Sequence, residues 1–133
     1  MKSTEQNGFT EAWERSKPFL VDALARSGNE YNVDDVLREI EDDHAIFYPV
    51  ENGAAVFRLA AYPRKRMLRI WLFGGTVGTG RANLTAVMEA ADFHAGEHEC
   101  DGIELVGRRG WEKVLKPYGY EHKRVVLIKE LGD

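Results

Sequence analysis

Gly74-Gly75-Thr76-Val77-Gly78-Thr79-Gly80-Arg81 joins two segments of different hydrophobic period. Before it lies Met67 to Phe73, apolar on both faces apart from Arg69. Such a run marks a central strand covered on both sides. After it, Leu84, Val87, Met88, Ala91 and Ala95 recur at helical spacing, so a helix spans about Arg81 to Ala95. Gly102 to Val106 then reads as another strand. A strand–helix–strand step requires a parallel pair joined by a right-handed crossover.

Upstream, the chain reads as two helices and an antiparallel meander. Thr10 to Ser27 is the first helix, with Thr10 as N-cap, Trp13, Leu20 and Leu24 as its stripe, and Gly28 as its stop. Pro18 predicts either a kink there or a second helix starting at Ser16. Val33 to Asp42 is the next helix, capped by Asn32, with Val33, Val36, Leu37 and Ile40 on one face. His44 to Val50 and Ala54 to Tyr62 are strands joined through Asn52-Gly53, a strong hairpin signal. Downstream, Gly110 to Tyr118 is a helix stopped by Gly119, and Glu121 to Leu131 reads as a last strand built on Val125 to Ile128. Residues 1–8 read as a flexible N-terminus and 9–131 as a single domain. The expected class is α+β: a mixed, mostly antiparallel sheet with helices on both faces.

Composition narrows the function. The chain has 133 residues, 44% hydrophobic and 30% charged, enough for one core without staples. Its 18 Lys and Arg against 22 Asp and Glu give a net charge of −4, which argues against a nucleic-acid binder. The basic run Arg64-Lys65-Arg66 reads as a solvated loop. No apolar run approaches the roughly 20 residues a membrane helix needs. No secretory signal is visible, so the expected compartment is the cytoplasm. Cys100 is the only cysteine and cannot form an internal disulfide. His94 and His98 share a helical face, but Gly96 lies between them where the helix pattern ends, and no metal site is expected.

The glycine loop carries the chemistry. A helix N-terminus leaves about four N–H groups unpaired and is partially positive. Glycines let a phosphate approach that backbone closely, and Arg81 could add a charge-assisted contact. Here Gly80 is followed by Arg81-Ala82 rather than Lys-Ser or Lys-Thr, and the dinucleotide spacing of glycines is absent. A phosphate-bearing ligand and a plain glycine-rich connection both remain open on these residues.

The order of elements and this loop resemble the GNAT acyltransferases, over roughly Phe9 to Leu131. The segments Trp71-Leu72-Phe73-Gly74-Gly75, Gly107-Arg108-Arg109-Gly110-Trp111 and Leu115-Lys116-Pro117-Tyr118-Gly119-Tyr120 look like those of a narrower group, the small GNAT-like proteins of tailed bacteriophages. The resemblance implies a GNAT-like three-layer fold. It also implies an acetyl-CoA cleft between Met67–Phe73 and Gly102–Val106. Phe73, Gly75, Thr76, Val77, Gly78, Thr79, Gly80, Arg81 and Arg108 would contact the cofactor. The implied reaction is acetyl transfer to an unknown amine, in the host cytoplasm if phage-encoded. Three departures stand out. Gly75 replaces the family's loop Gln or Arg, Leu115 replaces its tyrosine acid, and Met67 to Phe73 holds no carboxylate. Glu104 and Tyr118 become the candidate catalytic groups. The competing expectation is a catalytically degenerate phage module that uses the fold for structure, for host interaction or in the virion. A homodimer is compatible with either.

Overall fold

The computed structural model describes residues 2–26, 30–75, 80–107, 110–124 and 126–132; of residues 2–7 and 80–82 it describes the backbone alone. Helix α1 spans Lys2–Arg26 and α2 spans Val33–Glu41. Strands β1 (Ala45–Val50), β2 (Gly53–Ala61) and β3 (Arg66–Gly75) form the meander. Helix α3 (Gly80–Glu97), strand β4 (Gly102–Leu105), helix α4 (Gly110–Leu115) and a 3-10 turn (Lys116–Tyr118) complete the order.

The sheet order is β1-β2-β3-β4. The first two pairings are antiparallel, and β3 pairs with β4 in parallel. The mixed α+β sheet and the parallel step around the glycine stretch are therefore as the sequence predicts. Alternation along each strand sends side chains to two cores. Ala55, Phe57, Leu68 and Ile70 meet Leu84, Val87, Met88 and Ala91 of α3 on one face. Ala54, Val56 and Leu72 meet Trp13, Leu20 and Leu24 of α1 and Val36 of α2 on the other. Phe47 packs edge-on against Phe9 and Trp13 in this second core, with ring centroids 5.6 Å apart in each pair.

Local rules explain the joints. Asn32 caps α2 through a capping box: Asp35 N–H donates to Asn32 Oδ1, and Asn32 N–H donates to Asp35 Oδ2, both at 2.9 Å. Asn52 takes φ of 61° in the β1–β2 turn, a left-handed conformation that Asn tolerates. Gly119 ends the 3-10 turn at φ of 92°.

Two expectations need correction. Helix α1 begins at Lys2, so Thr10 lies inside it rather than at its cap. Pro18 sits within that single helix, so of the two readings offered for it no second helix starts at Ser16. The predicted stop, Gly28, lies outside the described residues. Finally, no strand forms over Glu121–Leu131 among the described residues. After α4 the chain is tied to α3 and to the core beneath it: the hydroxyls of Tyr118 and Thr85 are 2.9 Å apart, and Tyr120 packs against the α3-side core. Strand-prone residues follow, but among the described residues no strand edge meets them.

Candidate functional site: the split between β3 and β4

The β3–β4 pair is closed at one end and open at the other. Pairing runs from Met67 opposite Gly102 to Ile70 opposite Leu105, then stops. Strand β3 continues to Gly75, still paired with β2. Residues Trp71–Gly75 thus have a strand neighbour on one side and none on the other among the described residues. Their free backbone groups face the gap, as on any sheet edge.

Side chains account for both ends. At the closed end, Arg69 stands opposite Glu104 and donates from Nε and Nη2 to Oε2, both at 2.7 Å. Tyr62 donates its hydroxyl to the same carboxylate, 2.9 Å from Oε2, and accepts from Arg69 Nη2 at 3.1 Å. Burial by itself would lower the Arg69 pKa; the hydrogen bond and charge of Glu104, helped by Tyr62, outweigh it and raise the pKa. At the open end, α4 sends Trp111 against Phe73, with ring centroids 5.9 Å apart. The same indole presses on Gly107: a Cβ there would lie 2.7 Å from Trp111 Cδ1 and 2.8 Å from Leu105 Cδ2. Trp111 therefore packs against the ends of both strands where they part.

A bulge marks the start of the split. Val56 pairs with Leu72 and Phe57 with Ile70, which leaves Trp71 without a partner on β2. Bulges bend a strand and re-aim its backbone. The Trp71 indole turns to the α1–α2 face, where the Arg58 guanidinium lies 4.4 Å from its ring and Tyr31 sits edge-on at 5.0 Å. Glu39 holds Arg58 in place from 3.2 Å.

The glycines before α3 have separate duties. A Cβ on Gly74 would lie 2.6 Å from the carbonyl oxygen of Phe19, so α1 crosses β3 where only glycine fits. A Cβ on Gly75 would lie 3.1 Å from the Asn52 carbonyl oxygen. Asn83, buried in the first turn of α3, brings its Nδ2 within 3.3 Å of the corresponding point on Gly53 and 3.5 Å of that on Gly75. This fit of Asn83 against two glycines positions the start of α3 beside the end of β3. Sequence reasoning missed Asn83; a polar residue one turn after a glycine loop was the available signal.

The sequence-predicted residues distribute as follows. Phe73 lies on the open arm of β3, and Gly75 ends that arm. Gly80 and Arg81 open α3, with the Arg81 side chain outside the described part. Thr76, Val77, Gly78, Thr79 and Arg108 lie outside the described residues. Glu104 sits at the closed end within the Arg69–Tyr62 network. Tyr118 is tied to Thr85 on α3. Glu104 and Tyr118 thus belong to different networks, and no contact between them is seen. Among the described residues no group of three His, Cys, Asp or Glu is arranged to hold a metal, and no helix is long and apolar enough to cross a membrane.

No sequence-family profile matches the chain, and no curated protein matches it in sequence. Solved structures do. The ribosomal-protein-alanine N-acetyltransferase of Brucella melitensis superposes with a TM-score of 0.67 at 12% identity, covering 92% of each chain. A predicted acetyltransferase of Clostridium acetobutylicum, solved with acetyl-CoA, gives 0.61 at 16% identity, covering 76% of this chain and 77% of that one. The glucosamine-6-phosphate N-acetyltransferase of Arabidopsis thaliana gives 0.61 at 14% identity, covering 74% and 76%. Identities this low speak to architecture, and with the split sheet already in view they lead to one conclusion: the chain has the fold of the GNAT acetyltransferases.

Proposed function

We propose that the split between β3 and β4 binds acetyl-CoA and that the chain transfers the acetyl group to an amine. The observation that carries this reading is the open edge of Trp71–Gly75, which leads to the start of α3 at Gly80. An open strand edge suits an amide-bearing arm, because it offers alternating donors and acceptors in extended geometry. A helix start suits a diphosphate. The chemistry of the two features matches the two halves of coenzyme A. Phe73 would line the arm, and Gly75 to Arg81 would hold the diphosphate, with Arg108 adding charge.

The reaction asks little of side chains. The amine nitrogen attacks the thioester carbonyl carbon and forms a C–N bond. Backbone N–H groups along the open edge stabilise the oxyanion. The C–S bond then breaks, and coenzyme A leaves as thiol or thiolate. The amine proton passes to water or to a carboxylate. Glu104 is the candidate acceptor and Tyr118 the candidate donor to sulfur; each already holds a hydrogen-bond partner that it would have to share.

Thermal shift or calorimetry with acetyl-CoA tests the reading. A ligand at a hundred times its dissociation constant adds about 2.7 kcal/mol to stability. Gly78→Glu and Arg81→Ala should each abolish that gain while leaving the unliganded melting temperature nearly unchanged. A folded wild-type chain with no shift at millimolar acetyl-CoA would sink the proposal.

A further inference from the structure

One register row crosses the whole sheet on the α1–α2 face. Ala45 of β1 stands opposite Arg58 of β2, Arg58 opposite Arg69 of β3, and Arg69 opposite Glu104 of β4. Like charges directly opposite on neighbouring strands destabilise a sheet. Local rules broken in this way concentrate at functional sites. Each arginine has its own carboxylate: Arg58 Nη2 donates to Glu39 Oε1 at 3.2 Å, and Arg69 Nη2 lies 2.7 Å from Glu104 Oε2. Glu39, Arg58, Arg69 and Glu104 thus form a string of charges, minus, plus, plus, minus, that sums to zero. Both arginine side chains keep contact with solvent, at 26% and 36% exposure. The Arg58 guanidinium lies over Trp71, the first residue of β3 beyond its pairing with β4, and donates from Nη1 to the Tyr31 hydroxyl at 3.2 Å. Beside Tyr31, at the joint of α1 and α2, opens a groove of about 490 Å³ with Val21, Ala25 and Val33 on its wall and Glu30 and Asp35 among its lining.

We infer that this row selects the acceptor, and that the acceptor is an amino acid with a large apolar side chain. The inference rests on the acetyl-transfer reading and names the amine for it. An amino acid is a zwitterion, so it matches a row whose charges cancel; a dianionic phosphate does not. Its carboxylate goes to Arg58. Trp71, Tyr31 and Glu39 fix that guanidinium before any ligand arrives, and a preorganised fork loses little freedom on pairing with a carboxylate. The amino group goes to the Glu104 end of the row. Arg58 on β2 and Glu104 on β4 flank β3, where the open edge begins at Trp71. The side chain passes the Tyr31 ring into the groove and meets Val21, Ala25 and Val33. Glu30 and Asp35 repel a carboxylate from that groove, which sets the orientation. An amine without a carboxylate brings a cation beside two arginines and nothing to offset it, so the same row rejects it. As the C–N bond forms and the C–S bond breaks, one ammonium proton ends on sulfur and the other in solvent. The products are an N-acetyl amino acid and coenzyme A.

Calorimetry on the full wild-type chain, without acetyl-CoA, is the test. The probes are the expected product, N-acetylphenylalanine, and its neutral counterpart N-acetylphenylalaninamide. The acid should bind about tenfold more tightly than the amide, the worth of a charge-assisted hydrogen bond. N-acetylglycine should bind about tenfold more weakly than N-acetylphenylalanine, because it has no side chain to bury. Equal binding within either pair overturns the inference, as does no binding of N-acetylphenylalanine at millimolar concentration. These comparisons use the wild-type chain, so no folding failure obscures them. Arg58→Gln should erase the preference for the acid, and Arg58→Lys should restore part of it, with the circular dichroism spectrum kept in both. An Arg58 that serves structure alone would leave the acid-to-amide ratio at its wild-type value, and that result also overturns the inference. Turnover separates this inference from the reading beneath it. With acetyl-CoA, phenylalanine should exceed phenethylamine in kcat/KM by about the same tenfold. Faster acetylation of phenethylamine keeps acetyl transfer and removes the amino acid. Acid-selective binding with no turnover of any amine keeps the carboxylate site and removes acetyl transfer.

Discussion

Strand β3 behaves as two strands in one. From Met67 to Ile70 it is held to β4, and from Trp71 to Gly75 it is not. Both halves are largely apolar, so hydrophobicity does not separate them. Cross-strand chemistry does. The first half carries Arg69 opposite Glu104, with Tyr62 completing three hydrogen-bonded groups. The second half has a bulge at Trp71, a glycine pressed by α1, and the Trp111 ring against Phe73. A cleft in a sheet thus needs two agents, a clamp where the strands join and a wedge where they part.

The comparison can be broken at several points. Gly74→Val strikes hardest, because the added carbon meets the Phe19 backbone of α1 and not a movable side chain. Overpacking of that sort costs about 3 kcal/mol, and urea denaturation should show it. Trp111→Ala removes the wedge. The expected loss is about 2 kcal/mol, below the range for a fully buried tryptophan, since Trp111 is only half buried. If the wedge matters to the cleft, acetyl-CoA affinity should fall more than stability does.

Glu104→Gln loosens the clamp. Arg69 and Glu104 are partly solvated, so roughly 1 kcal/mol is expected by denaturation. The same variant and Tyr118→Phe also sort structural ties from proton transfer. A general acid or base would cost at least about a hundredfold in turnover, whereas a mere tie would leave turnover near wild type. The smallest effect lies away from the cleft, at His94, which packs against Phe57 and Phe93 on α3. Burial, then the nearby His98, lowers its pKa below 6.5, and Glu97 opposes them only in part. A depressed pKa means the unfolded chain binds the proton first. The contribution of His94 to stability is therefore intact above pH 6.5 and is lost as pH falls through the folded value. Melting temperatures between neutral and mildly acidic pH should decline, and His94→Gln should flatten part of that decline.

How much of this was legible in the residues depends on the range of the interaction involved. The helices at Val33 and after the glycine stretch, the Asn52-Gly53 turn and the parallel step all follow from period, caps and turn chemistry. Each is a local matter. Glu104 as a partner of Arg69 and Tyr62 was not legible, since those residues lie 35 and 42 positions away in the chain. Nor was the reason for Gly74: its Cβ is excluded by an oxygen on α1, more than fifty residues earlier. The last strand failed for the same reason. Val126 to Ile128 have strand character, but pairing also takes a partner edge within reach.

Taken alone, the residues determined the class of the sheet and the order of its elements as far as the helix at Gly110. Periodicity and turn preference act over a few residues and are written directly in the chain. Tertiary structure decided where β3 and β4 separate, which carboxylate is tied up in a clamp, and that 126–131 stands unpaired. Those outcomes depend on contacts between distant segments, where sterics and charge select among neighbours that local pattern cannot name.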